Sequence, residues 1–155
     1  MHLVGSVLYG ADERVGELVA SMIPHVGPGG FGTRGPDGRL PYTALGVVRG
    51  QMLLGGVVFH NFRPDEGLIE ESGAFSRADW IRPSTLRHLF SYPFTQLGCT
   101  NLITITGRKN VKARKMNEFL GFRLVGIIHR KNEDAALYEM PRKNCRWLKD
   151  KANGK

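Results

Sequence analysis

Two spacings of apolar residues run along this chain, and the switches between them mark its elements. Residues 3–9 (LVGSVLY) are short, aliphatic and β-branched, which predicts one strand. Over residues 11–23, Val15, Leu18, Val19 and Met22 recur at intervals of three and four, which predicts a helix stopped by Pro24. Residues 43–49 and 52–62 predict two strands joined by a tight turn at Gly50-Gln51. Gly55-Gly56 inside the second points to a bulge or a close backbone approach. The turn signature Pro64-Asp65-Glu66-Gly67 leads into a strand over 68–76, so the simplest arrangement is a three-stranded antiparallel meander. A stripe of Leu86, Leu89, Phe90, Phe94 and Leu97 predicts a helix over 83–97, begun by Pro83, kinked by Pro93 and ended at Gly98. A strand at 101–106, a helix at 110–120 closed by Gly121, and strands at 122–129 and 135–140 complete the pattern. Strands followed by alternating strands and helices imply an α/β fold, a mixed sheet with helices on both faces.

Between the first helix and the second strand, residues 27–41 (GPGGFGTRGPDGRLP) carry glycine and proline too densely for a regular element. A surface connection and a mobile lid are both open readings, and in the second Phe31 and Arg34 are the groups able to touch a ligand. The 155 residues, 41% hydrophobic, suit one domain over 1–148, with the polar tail 149–155 expected to be disordered. No stretch is long and apolar enough to span a bilayer, and the N-terminus lacks the features of a signal peptide. Cys99 and Cys145 fit no metal-ligand spacing and read as thiols of a reducing cytosol, so the expected location is cytoplasmic and no metal is expected. A net charge of +8 favours anionic partners: nucleic acid, an acidic protein, or a phosphate-bearing cofactor.

The stretch 102–140 narrows that choice. Asn110-x-x-Ala113 opens a helix that runs directly into Gly121-Phe122 and another strand, with Tyr92-Pro93-Phe94 before it and Cys145-Arg146-Trp147-Leu148 after it. This half of the chain resembles the C-terminal half of the GCN5-related N-acetyltransferase (GNAT) superfamily, and is similar to its small bacteriophage and bacterial members. The resemblance implies one GNAT domain with splayed central strands, acetyl-CoA as cofactor, and direct transfer of its acetyl group to a primary amine, which a host protein could carry. The runner-up reading is a GNAT scaffold that catalyses little or nothing and binds a host protein or nucleic acid.

Site residues follow from the same resemblance. The backbone of Gly73, Ala74 and Phe75 would pair with the pantetheine arm. The pyrophosphate would sit on the helix start near residue 83, where free N–H groups and the positive end of the dipole gather. The family's Gln/Arg-x-x-Gly-x-Gly/Ala loop is absent there, and Arg82, Ser84, Thr85 and Arg87 are offered instead. Arg108, Lys109, Lys112, Arg114 and Lys115 crowd the next helix start against its dipole, which an anion would relieve. Asn110 matches the family's cofactor-contacting asparagine and is also a good N-cap, and Arg114 is counted with it. For the base that deprotonates the amine, the family's strand position holds Glu70 and Glu71, on opposite faces by alternation. Glu70 is preferred, as in the phage-type members, with Glu71 and His60 as alternates. Where many family members place a proton-donating tyrosine, this chain has Asn117.

Overall fold

The computed structural model describes residues 1–148. The expectation for 149–155 lies outside the described residues. Among these, one eight-stranded sheet runs in the order β1-β2-β3-β4-β5-β6-β8-β7. Its strands are β1 (His2–Val4), β2 (Val7–Tyr9), β3 (Tyr42–Arg49), β4 (Met52–Arg63), β5 (Leu68–Phe75), β6 (Asn101–Gly107), β7 (Arg123–Ile128) and β8 (Ala135–Pro141). Only β5 and β6 pair in parallel; every other neighbour is antiparallel. The helices are α1 (Asp12–Met22), α2 (Pro83–Ser91) and α3 (Val111–Leu120).

Alternation along the strands divides the core in two. Leu45, Val47, Phe59 and Ile69 join Leu86, Leu89 and Phe90 of α2 and Leu120 of α3 on one side. Ala44 and Val58 meet Val15 and Val19 of α1 on the other. Helices therefore cover both faces, as the pattern implies.

Two expectations need correction. The strand read at 3–9 is a hairpin of β1 and β2, because Gly5, at φ 60°, supplies a left-handed turn in its middle. The expected three-stranded antiparallel meander is present as β3, β4 and β5, and β2 pairs antiparallel along the outer edge of β3. The helix read over 83–97 stops being α-helical at Ser91 and continues as a π-helical turn, Tyr92–Gln96. Pro93 has no N–H to give the α-ladder, and the Leu97 amide reaches five residues back to the Tyr92 carbonyl at 3.0 Å. The close approach expected at Gly55 is present. Its φ is +148°, and a Cβ built there would lie 2.8 Å from the Phe75 Cα and nearer still to the Ala74 carbonyl oxygen.

Candidate active site

The parallel pair β5–β6 holds only from Leu68 opposite Asn101 to Glu71 opposite Thr104. Beyond that point β5 stays with β4 as far as Phe75, and β6 stays with β8 as far as Gly107. The two strands are each held by an outer neighbour and so part from one another. The opening is a cleft of about 360 Å³. Its walls are residues 71–75 of β5, residues 104–107 of β6, the inner face of α3, and Met22 to His25 at the end of α1. Residues 72–75 of β5 have no strand partner on this side, so their free backbone groups face the opening.

Glu71 stands where the strands begin to part. Burial raises its pKa from 4.5 to about 7; the Thr104 hydroxyl donates to its carboxylate and pulls the other way, while Glu70 adds to the rise. Asn117 is buried on the facing side of α3, and its Nδ2 donates to Thr106 Oγ1 at 2.9 Å. Asn110 caps α3, its Oδ1 accepting from the Ala113 amide at 3.2 Å, and it also lines the cleft. Lys112 and Arg77 add cations to the walls.

The opposite face of β5 carries a separate cluster. His60 on β4 faces Glu70 in register, with Nε2 3.7 Å from Glu70 Oε2 and 3.0 Å from Ser72 Oγ. Asn61 Nδ2 donates to Glu70 Oε1 at 3.0 Å, and the Phe31 ring from the glycine-rich loop lies 5.1 Å from the His60 ring. Desolvation lowers the His60 pKa, with Glu70 opposing. The two glutamates are therefore on opposite sides of one strand, Glu71 in the cleft and Glu70 bonded into this cluster.

No family model and no curated protein matches the sequence. Solved structures do match the fold. A probable acetyltransferase superposes with a TM-score of 0.59 at 19% identity, over 67% of this chain and 63% of that one. The chain thus spans less than two thirds of that protein. The spermidine N-acetyltransferase SpeG of Vibrio cholerae, in complex with CoA and spermine, superposes with a TM-score of 0.60 at 16% identity, over 70% and 69%. A single-residue variant of the same Vibrio cholerae enzyme gives 0.58 at 16%, again over 70% and 69%. The fold is that of the GCN5-related N-acetyltransferases.

Within this GNAT fold the sequence-derived residues fall into three groups. The first lies in the cleft: Glu71, Gly73, Ala74, Phe75 and Asn110. The second, Glu70 and His60, forms the cluster behind β5. The third stands apart from the cleft walls. Arg82, Ser84 and Arg87 are exposed along the first turns of α2, and Thr85 is buried beneath them. The segment between β5 and α2 meets the cleft instead through Arg77, Ala78 and Trp80, whose indole stacks on Phe75 with centroids 3.8 Å apart. Arg77 is held by an ion pair to Asp79, which also pairs with Arg49 at 3.7 Å. Arg114 is used internally: Nε donates to the Tyr138 hydroxyl at 2.9 Å and Nη1 to the Arg108 carbonyl at 3.1 Å.

The anion that the basic turn before α3 calls for is supplied by the protein. Glu133 Oε1 accepts the Lys109 amide at 2.9 Å, and Asp134 pairs with Arg108 at 3.5 Å. Among the described residues, no tyrosine lines the opening. Tyr138 is fully buried against Arg114, and the Tyr92 hydroxyl donates to Thr43 Oγ1 at 3.0 Å. Sequence reasoning missed His25, Thr104 and Thr106. Two buried threonines at alternate positions of an otherwise aliphatic strand were a readable sign; His25 had none, since only the fold carries the end of α1 to the cleft mouth.

Proposed function

We propose that this chain transfers an acetyl group from acetyl-CoA to a primary amine by direct attack within the β5–β6 cleft. The observation that carries the reading is the parting of β5 and β6 beyond Glu71 and Thr104, which leaves a free strand edge beside an asparagine-capped helix. That edge suits an extended amide-bearing arm. The residues present fit coenzyme A in this respect: free backbone groups at 72–75, the Asn110 cap, and the cations Arg77 and Lys112 along the walls. Bound there, the cofactor supplies an activated acyl group on a thiol leaving group.

The chain's own residues then manage the proton. An attacking amine must be neutral, and Glu71, with a pKa of about 7, is ionised often enough near neutrality to accept its proton and basic enough to hold it. The Thr104 hydroxyl fixes the carboxylate. Glu70 and His60 face the side of β5 on which the glycine-rich loop lies, and they serve as the alternative base should the amine arrive from there. Asn117, bonded to Thr106, has no proton to give a departing thiolate, so departure relies on the thiolate's own stability.

Asn117 also favours a second reading, a GNAT scaffold that binds a partner without turnover. Two measurements separate them. Acetyl-CoA at a hundred times its dissociation constant should add about 2.7 kcal/mol of stability, read as a rise in Tm. Mass spectrometry of an incubation with acetyl-CoA and either a polyamine or a lysine peptide should show a gain of one acetyl group on one of them. No Tm shift at millimolar acetyl-CoA overturns the cofactor reading; a shift without acetylation of any amine leaves the scaffold.

A further inference from the structure

The cleft does not stop at β5. Val57, one strand further out on β4, also lines it. A missing side chain is the reason. Val57 stands opposite Gly73 in register, and a Cβ built on Gly73 would lie 3.5 Å from both Val57 Cγ2 and Glu71 Oε2. A side chain at position 73 would therefore cover Val57. Because the residue is glycine, a recess opens on the face of the sheet that carries α2 and α3. Trp80 and Leu120 line the cleft from that face, and with Val57 they belong to the main core. The polar groups around the recess already hold one another: Asn117 donates to Thr106, and Thr104 to Glu71. No buried side-chain polar atom among the described residues lacks a partner. The recess thus offers contact to hydrocarbon and no hydrogen bond to a polar group.

We propose, resting on the transfer function already put forward, that this recess holds the tail of an unbranched apolar acyl group longer than acetyl, so that the preferred donor is a short fatty acyl-CoA. An arm paired along residues 72–75 would place its phosphates at the wide end, beside Arg77 and Lys112, and its thioester at the narrow end, beside Glu71. Straight ahead of the thioester β5 and β6 are paired, with Glu71 opposite Thr104. An acyl tail must therefore turn to one face of the sheet. The α1 face holds Ser72, His60 and Glu70, bonded into a polar cluster. The other face holds the recess. A carboxylated acyl group gains nothing there, since a second carboxylate would be desolvated next to Glu71. The chemical step keeps its form. The amine nitrogen bonds to the acyl carbonyl carbon, the carbon–sulfur bond breaks, coenzyme A leaves as the thiolate, and the amine proton passes to Glu71.

Isothermal titration of the full chain with acetyl-CoA, butyryl-CoA and succinyl-CoA, without amine, tests this. A buried methylene is worth about fourfold in affinity, so butyryl-CoA should bind roughly tenfold tighter than acetyl-CoA, and succinyl-CoA no tighter than acetyl-CoA. Val57→Leu fills the recess and should abolish the difference between butyryl-CoA and acetyl-CoA. Val57→Ala deepens the recess and should move the preference to hexanoyl-CoA; it carries the test should Val57→Leu fail to fold. With an amine and both donors present, mass spectrometry should show more butyryl than acetyl transferred. Acetyl-CoA that binds as tightly as butyryl-CoA, or a preference that Val57→Leu leaves untouched, overturns the acyl-tail proposal and leaves acetyl transfer in place. A chain that binds none of these donors overturns both.

Discussion

Replacing Glu71 by glutamine isolates the proton chemistry from the shape of the cleft. The pKa of about 7 against an ordinary 4.5 means that ionising this carboxyl in the fold costs about 3 kcal/mol, at about 1.4 kcal/mol per unit. Residual solvent contact at the cleft makes that figure a ceiling. The sign follows from proton counts. Between pH 4.5 and 7 the folded chain retains a proton that the unfolded chain has lost, so this group's contribution to stability falls as pH rises through that window and is constant above it. Glu71→Gln has no such slope. Urea denaturation at about pH 4 and about pH 8 should show the variant gaining on the wild type by up to about 3 kcal/mol at the higher pH. Activity moves oppositely. The acid limb of kcat/KM should bend near pH 7 in the wild type, and the variant should lose roughly 10²–10⁴-fold while its Tm shift with acetyl-CoA survives. The reasoning fails if the variant keeps its rate and the limb near neutral pH. A loss confined to Glu70→Gln would move the base to the His60 side of the strand.

Gly55→Ala should destabilise the chain by at least about 2 kcal/mol, because the new Cβ meets the backbone at Ala74–Phe75 and φ is +148°; chemical denaturation measures it, and the Tm shift with acetyl-CoA should shrink as the cleft wall moves. Asn110→Ala removes the side-chain cap on α3 and should cost about 1 kcal/mol, together with part of the cofactor-induced Tm shift; Asn110→Ser should recover the stability and leave the shift reduced.

Local rules made much of this fold legible. The period of the apolar stripes found α1 and α2, and Asn110 and Gly121 marked the ends of α3 at its capping bond and its left-handed residue. They failed where one residue carries more than one instruction. Gly5 is tolerated in a strand and is also the best turn residue, and only pairing of both arms decides for the hairpin. Pro93 announced a kink, but whether the chain leaves the helix or widens it depends on the carbonyl that the Leu97 amide can reach. The basic turn before α3 read as a request for an external anion because Glu133 and Asp134 are more than twenty positions away in sequence and become adjacent only once β7 and β8 fold back.

The sequence by itself determined the fold class and the identities of the groups that could do chemistry: helices over both faces of a mixed sheet, two adjacent glutamates that alternation must separate, and an asparagine at the start of α3. Tertiary structure alone decided that Glu71 faces the opening and Glu70 joins His60, that Arg114 is engaged by Tyr138, and that His25 reaches the cleft mouth. The reason is physical. Periodicity fixes which residues share a face, but not which face an opening lies on; that requires β5 and β6 to be drawn apart by β4 and β8, a competition among pairings spread over the whole chain.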